Sequence, residues 1–325
     1  RVCLETSGMA PHGQRTMNAM TEQNFTMDRD PTQGVRPQPR TLVTVDLELS
    51  YAPDLAAVED SVGVLLEALQ ARGTEATFFV QGELAEALPD ILREVLNSGH
   101  EIASHGHVHA PIGEWSFQQL HDDIARSQEQ LAECGAVVAG YRAPFFSTSP
   151  HLDEVLARLE FQWSSSTPRI WFPGRYDHRA VAETPWTTPH GLLEVPVARV
   201  HPLVPFGLEH MRAMGPLYPT ARPPGDAVFY MHSYSFSDRY MRPLYNRWNT
   251  VKRNLAILDS VITPGRSQRL SDWLPQAGSV TASGQDGPRA ATPADRATLP
   301  PEGNATPWED TARPLSTPYR STTPS

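Results

Sequence analysis

Four histidines crowd into one short stretch of the chain, residues 99–111, which reads GHEIASHGHVHAP. Two of them, His105 and His109, stand four residues apart at the end of an apolar run. Imidazole is the commonest side-chain metal ligand near neutral pH, and an i, i+4 pair converges on one ion if the segment turns helically. We interpret the pair as candidate metal ligands, and the alternative is a chance cluster of histidines in a polar loop.

Two carboxylates end an earlier apolar run, which reads TLVTVDLEL. Asp46 and Glu48 alternate with leucines, so both project from the same face of an extended strand. A buried carboxylate pair is costly unless a cation compensates it. With two imidazoles, the pair predicts a catalytic divalent-metal site that leaves positions open for water and substrate. A second carboxylate beside the ion could act as general base, and two solvated acids on an edge strand are the alternative.

Three further positions carry groups that a hydrolytic site needs. Arg142, in GYRAPFF, could hold Asp46 in place through its guanidinium. Pro144 would fix the backbone so that the Phe145 amide serves as an oxyanion donor. His232 ends the apolar run AVFYM and could protonate a leaving group. Taken singly, each of these residues also fits an ordinary structural role.

Strands and helices that would position these residues alternate along the first half of the chain. We predict strands at 41–49, 74–80, 101–105 and 137–144, and helices at 55–72, 83–97, 117–133 and 150–160. Asp54 would cap the first helix, and Ser116 with Gln119 forms a capping box for the third. This alternation favours a parallel sheet covered by helices, either open or closed into a barrel, with chemistry at the carboxyl ends of its strands.

The second half of the chain gives fewer clear signals of secondary structure. FQWSSS, LLEVPVARVH and AVFYMHSY read as strands, the Pro-rich intervals 168–189 and 202–224 as long loops, residues 248–262 as a helix, and RLSDWL as a short strand or turn. Four aromatic residues could stack on sugar rings or pack the loops themselves: Trp163, Trp171, Phe172 and Trp186. We expect a disordered leader at 1–39, one catalytic domain at 40–275 and a disordered Pro/Ser/Thr-rich tail at 276–325.

Composition excludes several classes of function. The net charge of −10 and pI near 5.6 give no basic surface for nucleic acid. Two distant cysteines imply no disulfide framework, and no apolar run is long enough to span a membrane. The amino end has no basic segment followed by an apolar core, the pattern of a secretory signal. We therefore expect a cytoplasmic protein, and nothing in the sequence predicts its oligomeric state.

Taken in order, TVDLE, GHEIASHGHVH, YRAPFF and FYMHSY resemble the motifs of the polysaccharide deacetylases of the NodB-homology group, carbohydrate esterase family four. The resemblance covers roughly residues 41–273. It implies a deformed (β/α) barrel with seven parallel strands, a single divalent ion, usually zinc, and hydrolysis of an N-acetyl group on an amino sugar.

By the same resemblance, Asp46 looks like the catalytic base, His105 and His109 like metal ligands, and His232 like the general acid. Arg142 resembles the residue that tethers the base, and Phe145 supplies an amide to the oxyanion.

The chain departs from the family pattern at two points. The first motif usually reads TFDDG, whereas here Leu47 separates the two acids, so Glu48 looks like the third ligand while Asp46 remains the alternative. Where the family has an aspartate after the fourth strand, only Trp163 and serines are found, which leaves the tuning of His232 unexplained.

These features favour a metal-dependent sugar N-deacetylase that acts on a polysaccharide, a lipid-linked saccharide or a small glycoside. Two alternatives stay open. One is an amidase of the same fold that cleaves a non-sugar C–N bond, with or without metal, and the other is a non-catalytic carbohydrate-binding protein.

Overall fold

A curled sheet of nine strands organises the part of the chain that this computed structural model describes, residues 38–49, 54–172, 176–202, 204–215, 222–237 and 250–277. In chain order the strands are β1 (Thr41–Leu47), β2 (Thr77–Val80), β3 (Glu101–Ser104), β4 (Gly140–Tyr141), β5 (Trp163–Ser164), β6 (Trp171–Phe172), β7 (Tyr176–Asp177), β8 (Trp186–Thr187), β9 (Leu193–Glu194), β10 (Arg199–His201), β11 (Val204–Pro205), β12 (Ala227–His232) and β13 (Ser267–Gln268). β6 with β7 and β10 with β11 form two small hairpins outside the nine-stranded sheet. The predicted leader and tail lie outside the described residues, except for positions 38, 39, 276 and 277.

Eight helices accompany the strands in the described ranges. They are α1 (Leu55–Ala71), α2 (Gly82–Ala87), α3 (Pro89–Asn97), α4 (Phe117–Glu133), α5 (Leu152–Arg158), α6 (Leu208–Ala213), α7 (Val251–Val261) and α8 (Leu270–Ala277). Asp54 caps α1, and Ser116 and Gln119 form both bonds of the predicted capping box at the start of α4. The two strongest predicted helix starts are therefore confirmed.

Seven strands lie parallel in the order β12, β1, β2, β3, β4, β5, β9, and β8 adds one antiparallel strand at the edge. The sheet curls so that the chain beyond β9 returns to β12, where Val197 bridges Val228 and Gly207 bridges Tyr230, both in parallel. Asp46 pairs in register with His232 on β12 and with Phe79 on β2. Residues distant in sequence therefore meet at one end of a barrel.

Alternation along β1 separates the core from the site. Val43, Val45 and Leu47 pack outward in the main apolar cluster with the helices, whereas Leu42 belongs to a second cluster with Phe79 and Trp163. Successive strand residues point to opposite faces, so Asp46 shares the inward side with Leu42. The sequence thus directs a carboxylate into the barrel by simple alternation.

Three predicted elements are wrong. LLEVPVARVH, predicted as one strand, is divided into β9 and β10, which belong to different sheets. The single helix expected at 83–97 is divided at Leu88, because Pro89 lacks the N–H that a continuous helix requires and instead begins α3. RLSDWL forms part of α8 rather than a strand or turn, since Leu270 and Trp273 are spaced to bury one helical face.

The Pro-rich intervals are not continuous loops. The first contains β6, β7 and β8, and the second contains β11 and α6. Trp163 is 1% exposed and packs edge-on against Phe79 in the barrel interior, so it is unavailable to a sugar ring. Across the described ranges, no helix combines the length and apolar character needed to cross a bilayer.

Candidate metal centre and active site

Glu48, His105 and His109 form a cluster just beyond the carboxyl ends of β1 and β3. Glu48 Oε2 lies 2.6 Å from His109 Nε2 and 3.4 Å from His105 Nε2. The three candidate ligand atoms all lie within 4.8 Å of one another. One carboxylate and two imidazoles at this spacing fit a single divalent ion, as the sequence predicted for the two histidines and, through the resemblance, for Glu48.

The imidazole of His105 is oriented by the backbone. Its Nδ1 lies 2.8 Å from the carbonyl oxygen of Arg142. A carbonyl only accepts hydrogen bonds, so Nδ1 donates and the lone pair of Nε2 faces Glu48. This is the tautomer that a metal-binding histidine needs.

Glu48 is 5% exposed and sits among positive partners. Burial by itself raises the pKa of this carboxyl, but the charges of His109 and His232 and the contacts with both candidate ligand histidines hold the pKa well below its ordinary value. The carboxylate is therefore anionic and available to a cation.

The loop that carries His109 is held by Asp123 on α4. The Asp123 carboxylate accepts the backbone N–H of His107 at 2.9 Å and that of Val108 at 3.1 Å. Residues 105–109 consequently follow an irregular path rather than the helical turn that the i, i+4 spacing suggested. The side chain of His107 packs beside Gly82, where a Cβ atom would come within 2.5 Å of its Nδ1, and it stays outside the candidate ligand cluster.

Asp46 forms a buried ion pair with Arg142. Arg142 Nη1 donates to Asp46 Oδ1 at 2.6 Å. The Arg142 side chain is 0% exposed and that of Asp46 is 4% exposed. The guanidinium also donates to the hydroxyl of Thr44 at 3.0 Å and to the carbonyl and hydroxyl oxygens of Ser165 at 3.0 and 3.1 Å. It stacks 4.0 Å from the centre of the Phe79 ring. Asp46 is therefore held in one orientation.

Glu194, at the end of β9, stabilises the loop after β5, which also contacts Arg142. One of its oxygens accepts the backbone N–H groups of Ser166 and Thr167 at 2.8 and 2.9 Å and the Thr167 hydroxyl at 2.6 Å. Burial raises the pKa of this carboxyl although these bonds oppose the rise. No sequence spacing points to Glu194, because its contacts are mainly to backbone groups that carry no sequence signal.

His232 lies beside both acids. Its Nε2 is 4.0 Å from Asp46 Oδ2 and 3.9 Å from Glu48 Oε1, and its Nδ1 is 3.3 Å from Glu209 Oε1. Burial lowers the pKa of the imidazole, but the charges of Glu209, Glu48 and Asp46 and the Glu209 contact raise it to about 10. Glu209 was missed by sequence reasoning, since α6 falls inside an interval predicted as a loop.

Phe145 and Phe146 follow Pro144 in a short 3-10 turn, with φ angles of 57° and 55°. Such left-handed angles are uncommon for non-glycine residues and persist only where neighbours hold them. The Phe145 ring centroid lies 4.2 Å from that of His109. The predicted oxyanion residue therefore sits on a constrained turn against a candidate metal ligand.

These features define a (β/α) barrel with a two-histidine, one-carboxylate site at the carboxyl ends of its strands. Residues 41–164 match the family model described as polysaccharide deacetylase. The match confirms the resemblance found in the sequence motifs.

Two relatives align with this region. The peptidoglycan-N-acetylglucosamine deacetylase of Bacillus cereus is 29% identical over 127 residues, which cover 39% of this chain and 42% of the relative. The peptidoglycan-N-acetylglucosamine deacetylase of Listeria monocytogenes is 26% identical over 104 residues, which cover 32% and 22%. The alignments thus span less than half the length of either relative.

A solved structure agrees over a larger part of the chain. The crystal structure of a candidate polysaccharide deacetylase from Mycobacterium smegmatis superposes with a TM-score of 0.54 at 17% identity, and the match covers 74% of this chain and 91% of that one. The likeness confirms the predicted deformed (β/α) barrel.

Proposed function

We propose that this chain is a metal-dependent hydrolase that removes the N-acetyl group from an amino-sugar unit of a glycan. The observation that carries the proposal is that three groups meet at the carboxyl ends of neighbouring strands. They are the Glu48, His105 and His109 cluster, the Asp46–Arg142 pair, and His232. The names of the two relatives support N-acetylglucosamine in a peptidoglycan-like polymer as the substrate.

Glu48, His105 and His109 would hold the ion, which we propose to be zinc. The donor set supports this choice, because zinc binds imidazole nitrogen and carboxylate oxygen in sites that leave one position open. When bound, a divalent ion supplies Lewis acidity toward water and the acetamide carbonyl. Asp46 stays out of the ligand set in this assignment, since its carboxylate is already paired with Arg142.

Asp46 would act as the general base and take a proton from the water that attacks the acetamide carbon. The pair with Arg142 fixes the carboxylate for this transfer. The Phe145 backbone N–H would donate to the oxyanion. His232 Nε2 would then protonate the departing nitrogen as the C–N bond breaks, which yields acetate and a free amino sugar.

The direct test is acetate release from N-acetylglucosamine tetramer by the zinc-loaded protein. Wild type should release acetate, and Asp46→Asn should lose at least about 100-fold in turnover, the lower range for general base catalysis, while keeping its zinc. A wild-type protein that binds zinc and the tetramer but releases no acetate would instead support the carbohydrate-binding alternative. Turnover of the tetramer that survives complete removal of zinc would contradict the metal dependence that we propose.

A glycan substrate is the partner that this proposal requires. The cytoplasmic location expected from the sequence stays a prediction.

A further inference from the structure

Glu209 provides a carboxylate on the side of His232 that faces away from the candidate metal ligands. Its Oε1 lies 3.3 Å from His232 Nδ1, and the Glu209 side chain is 6% exposed. Within the described ranges, neither His232 Nδ1 nor Glu209 Oε2 has an aligned hydrogen-bond partner. The contact is therefore an ion pair whose hydrogen bond is not fully formed. Catalytic contacts often have such geometry before the substrate is bound.

Glu209 is held by Ser235, which is itself anchored to a neighbouring helix. The hydroxyl of Ser235 donates to Glu209 Oε1 at 2.7 Å, and the carbonyl of Ser235 accepts Asn254 Nδ2 at 2.6 Å. Arg212, one turn further along α6, donates to Asn254 Oδ1 at 3.3 Å. A buried carboxylate held in this way cannot turn freely away from His232.

The start of α6 explains how Glu209 reaches the site. Gly207, its N-cap, bridges Tyr230 on β12, and a Cβ atom at this glycine would come within 2.4 Å of the Tyr230 ring. Only a residue without a side chain allows so close an approach. Two residues later, Glu209 stands next to His232, which is two residues beyond Tyr230 on β12.

The arrangement places carboxylates on both edges of one imidazole. Glu209 faces Nδ1, while Asp46 and Glu48 lie near Nε2. An acceptor at Nδ1 selects the ring orientation and tautomer in which Nε2 is presented to the reacting group.

We propose that Glu209 is the positioning residue of His232 and holds the ring so that Nε2–H points at the departing nitrogen. This inference rests on the proposed deacetylase function. Glu209 would take the place of the aspartate that the family has after the fourth strand. It is a glutamate instead, and it comes from a different element, α6.

The test compares two substrates that differ in their need for a general acid. Hydrolysis of the amide in N-acetylglucosamine tetramer requires protonation of the leaving nitrogen, whereas 4-nitrophenyl acetate releases a stable phenolate without it. We expect Glu209→Gln and Glu209→Ala to lower kcat on the tetramer by about 10- to 100-fold, with KM and zinc content little changed. On the aryl ester the loss should stay within about twofold.

Glu101→Gln is the matched control. Glu101 is a partly buried glutamate at the opposite end of the barrel, where it accepts the Thr77 hydroxyl at 2.6 Å. It should leave both activities unchanged. Combining Glu209→Gln with His232→Ala should cost no more than His232→Ala alone, because the two residues act as one unit.

A second readout does not depend on turnover. In zinc-loaded protein, the imidazole nitrogen resonances of His232 should shift in Glu209→Gln and stay unchanged in Glu101→Gln. An unchanged His232 spectrum, full amide turnover in Glu209→Gln, or equal losses on both substrates would each overturn the inference. If wild type is inactive on the tetramer but Glu209→Gln still shifts the His232 resonances, the proposed function would be contradicted. The contact between Glu209 and His232 would still be supported.

Discussion

Asp46 and Arg142 form a salt bridge of 2.6 Å at the bottom of the candidate site, and neither side chain is more than 4% exposed. The pair joins β1 to the segment after β4, so it couples the candidate base to the loop that also orients His105. A buried charge of this kind is tolerated only while its partner and its hydrogen bonds remain in place. The geometry of the site and the stability of the barrel therefore depend on the same contact.

Replacing Arg142 by glutamine should destabilise the protein by about 3–5 kcal/mol, because it leaves the Asp46 carboxylate buried without a counter-charge. Arg142→Lys keeps the charge but cannot reproduce the fork that contacts Asp46 and Ser165, so its loss should be smaller. Urea unfolding followed by circular dichroism measures both. Arg93→Gln is the control, since the Arg93–Asp90 pair is exposed and should be worth less than about 1 kcal/mol. Equal losses in the Arg93 and Arg142 variants would contradict the argument.

Substitution of either candidate ligand histidine should remove the metal while retaining the fold. His105→Ala and His109→Ala each delete one donor of the cluster, so zinc affinity should fall by more than the roughly 10- to 100-fold cost of losing an outer partner. Zinc per chain, measured by elemental analysis after dialysis, should drop in both variants. His121→Ala, on the outer surface of α4, should keep its zinc. Full zinc in His105→Ala and His109→Ala would show that the ion binds elsewhere.

Local sequence signals predicted much of the first half of the barrel. The cap at Asp54, the capping box at Ser116 and the alternation around Asp46 each depend on neighbours within a few residues, and all appear as expected. The position of Glu209 depends instead on a bridge between Gly207 and Tyr230. Sequence spacing cannot report such a contact, because its two partners lie on separate elements and one of them is a glycine.

The supporting carboxylates were missed for a related reason. Asp123 and Glu194 act on backbone N–H groups of loops that are remote in sequence. Backbone groups are present at every non-proline residue and so give no pattern to recognise. The side chains proposed to do chemistry were found from their types, whereas the residues that hold them were found only from the fold.

The protein should lose stability as the solution is acidified from pH 6.5 toward 4, in part because of His100. Burial and the charge of Arg269 lower the pKa of His100 from 6.5 to about 4, and Nδ1 must stay unprotonated to accept the Ala76 N–H at 3.1 Å. The unfolded chain binds this proton at the higher pH, so protons favour unfolding throughout that interval. The contribution of His100 should shrink by about 2 kcal/mol between pH 7.5 and 5.

His100→Asn retains an acceptor that does not titrate and should remove that part of the pH dependence. Urea unfolding of metal-free protein at pH 7.5 and 5 provides the comparison, with His121→Asn as an exposed control that should behave like wild type. A pH dependence that is the same in wild type and His100→Asn would rule out this histidine as a source.

The proposed glycan substrate makes a prediction about an aromatic hairpin beside the site. Trp171 and Phe172 on β6 are 53% and 44% exposed, although most large apolar side chains in the described ranges are buried. The Phe172 ring lies 6.2 Å from that of Tyr176, and Tyr176 lies 6.4 Å from Phe146, whose ring is 5.7 Å from the Arg142 guanidinium. A continuous row of rings thus leads from the candidate site to the exposed ring of Phe172, which can pack against a neighbouring sugar unit.

Phe172→Ala should therefore raise KM for N-acetylglucosamine tetramer by about 10-fold, the equivalent of 1.4 kcal/mol, with little change in kcat. KM for the monomer should not change, because one sugar unit fills only the position above the candidate metal ligands. Val137→Ala is the matched control, since Val137 is 89% exposed and lies just before β4, at the end of the strands opposite the site. Equal effects on the tetramer and the monomer would mean that the hairpin shapes the catalytic groups instead of binding a longer glycan.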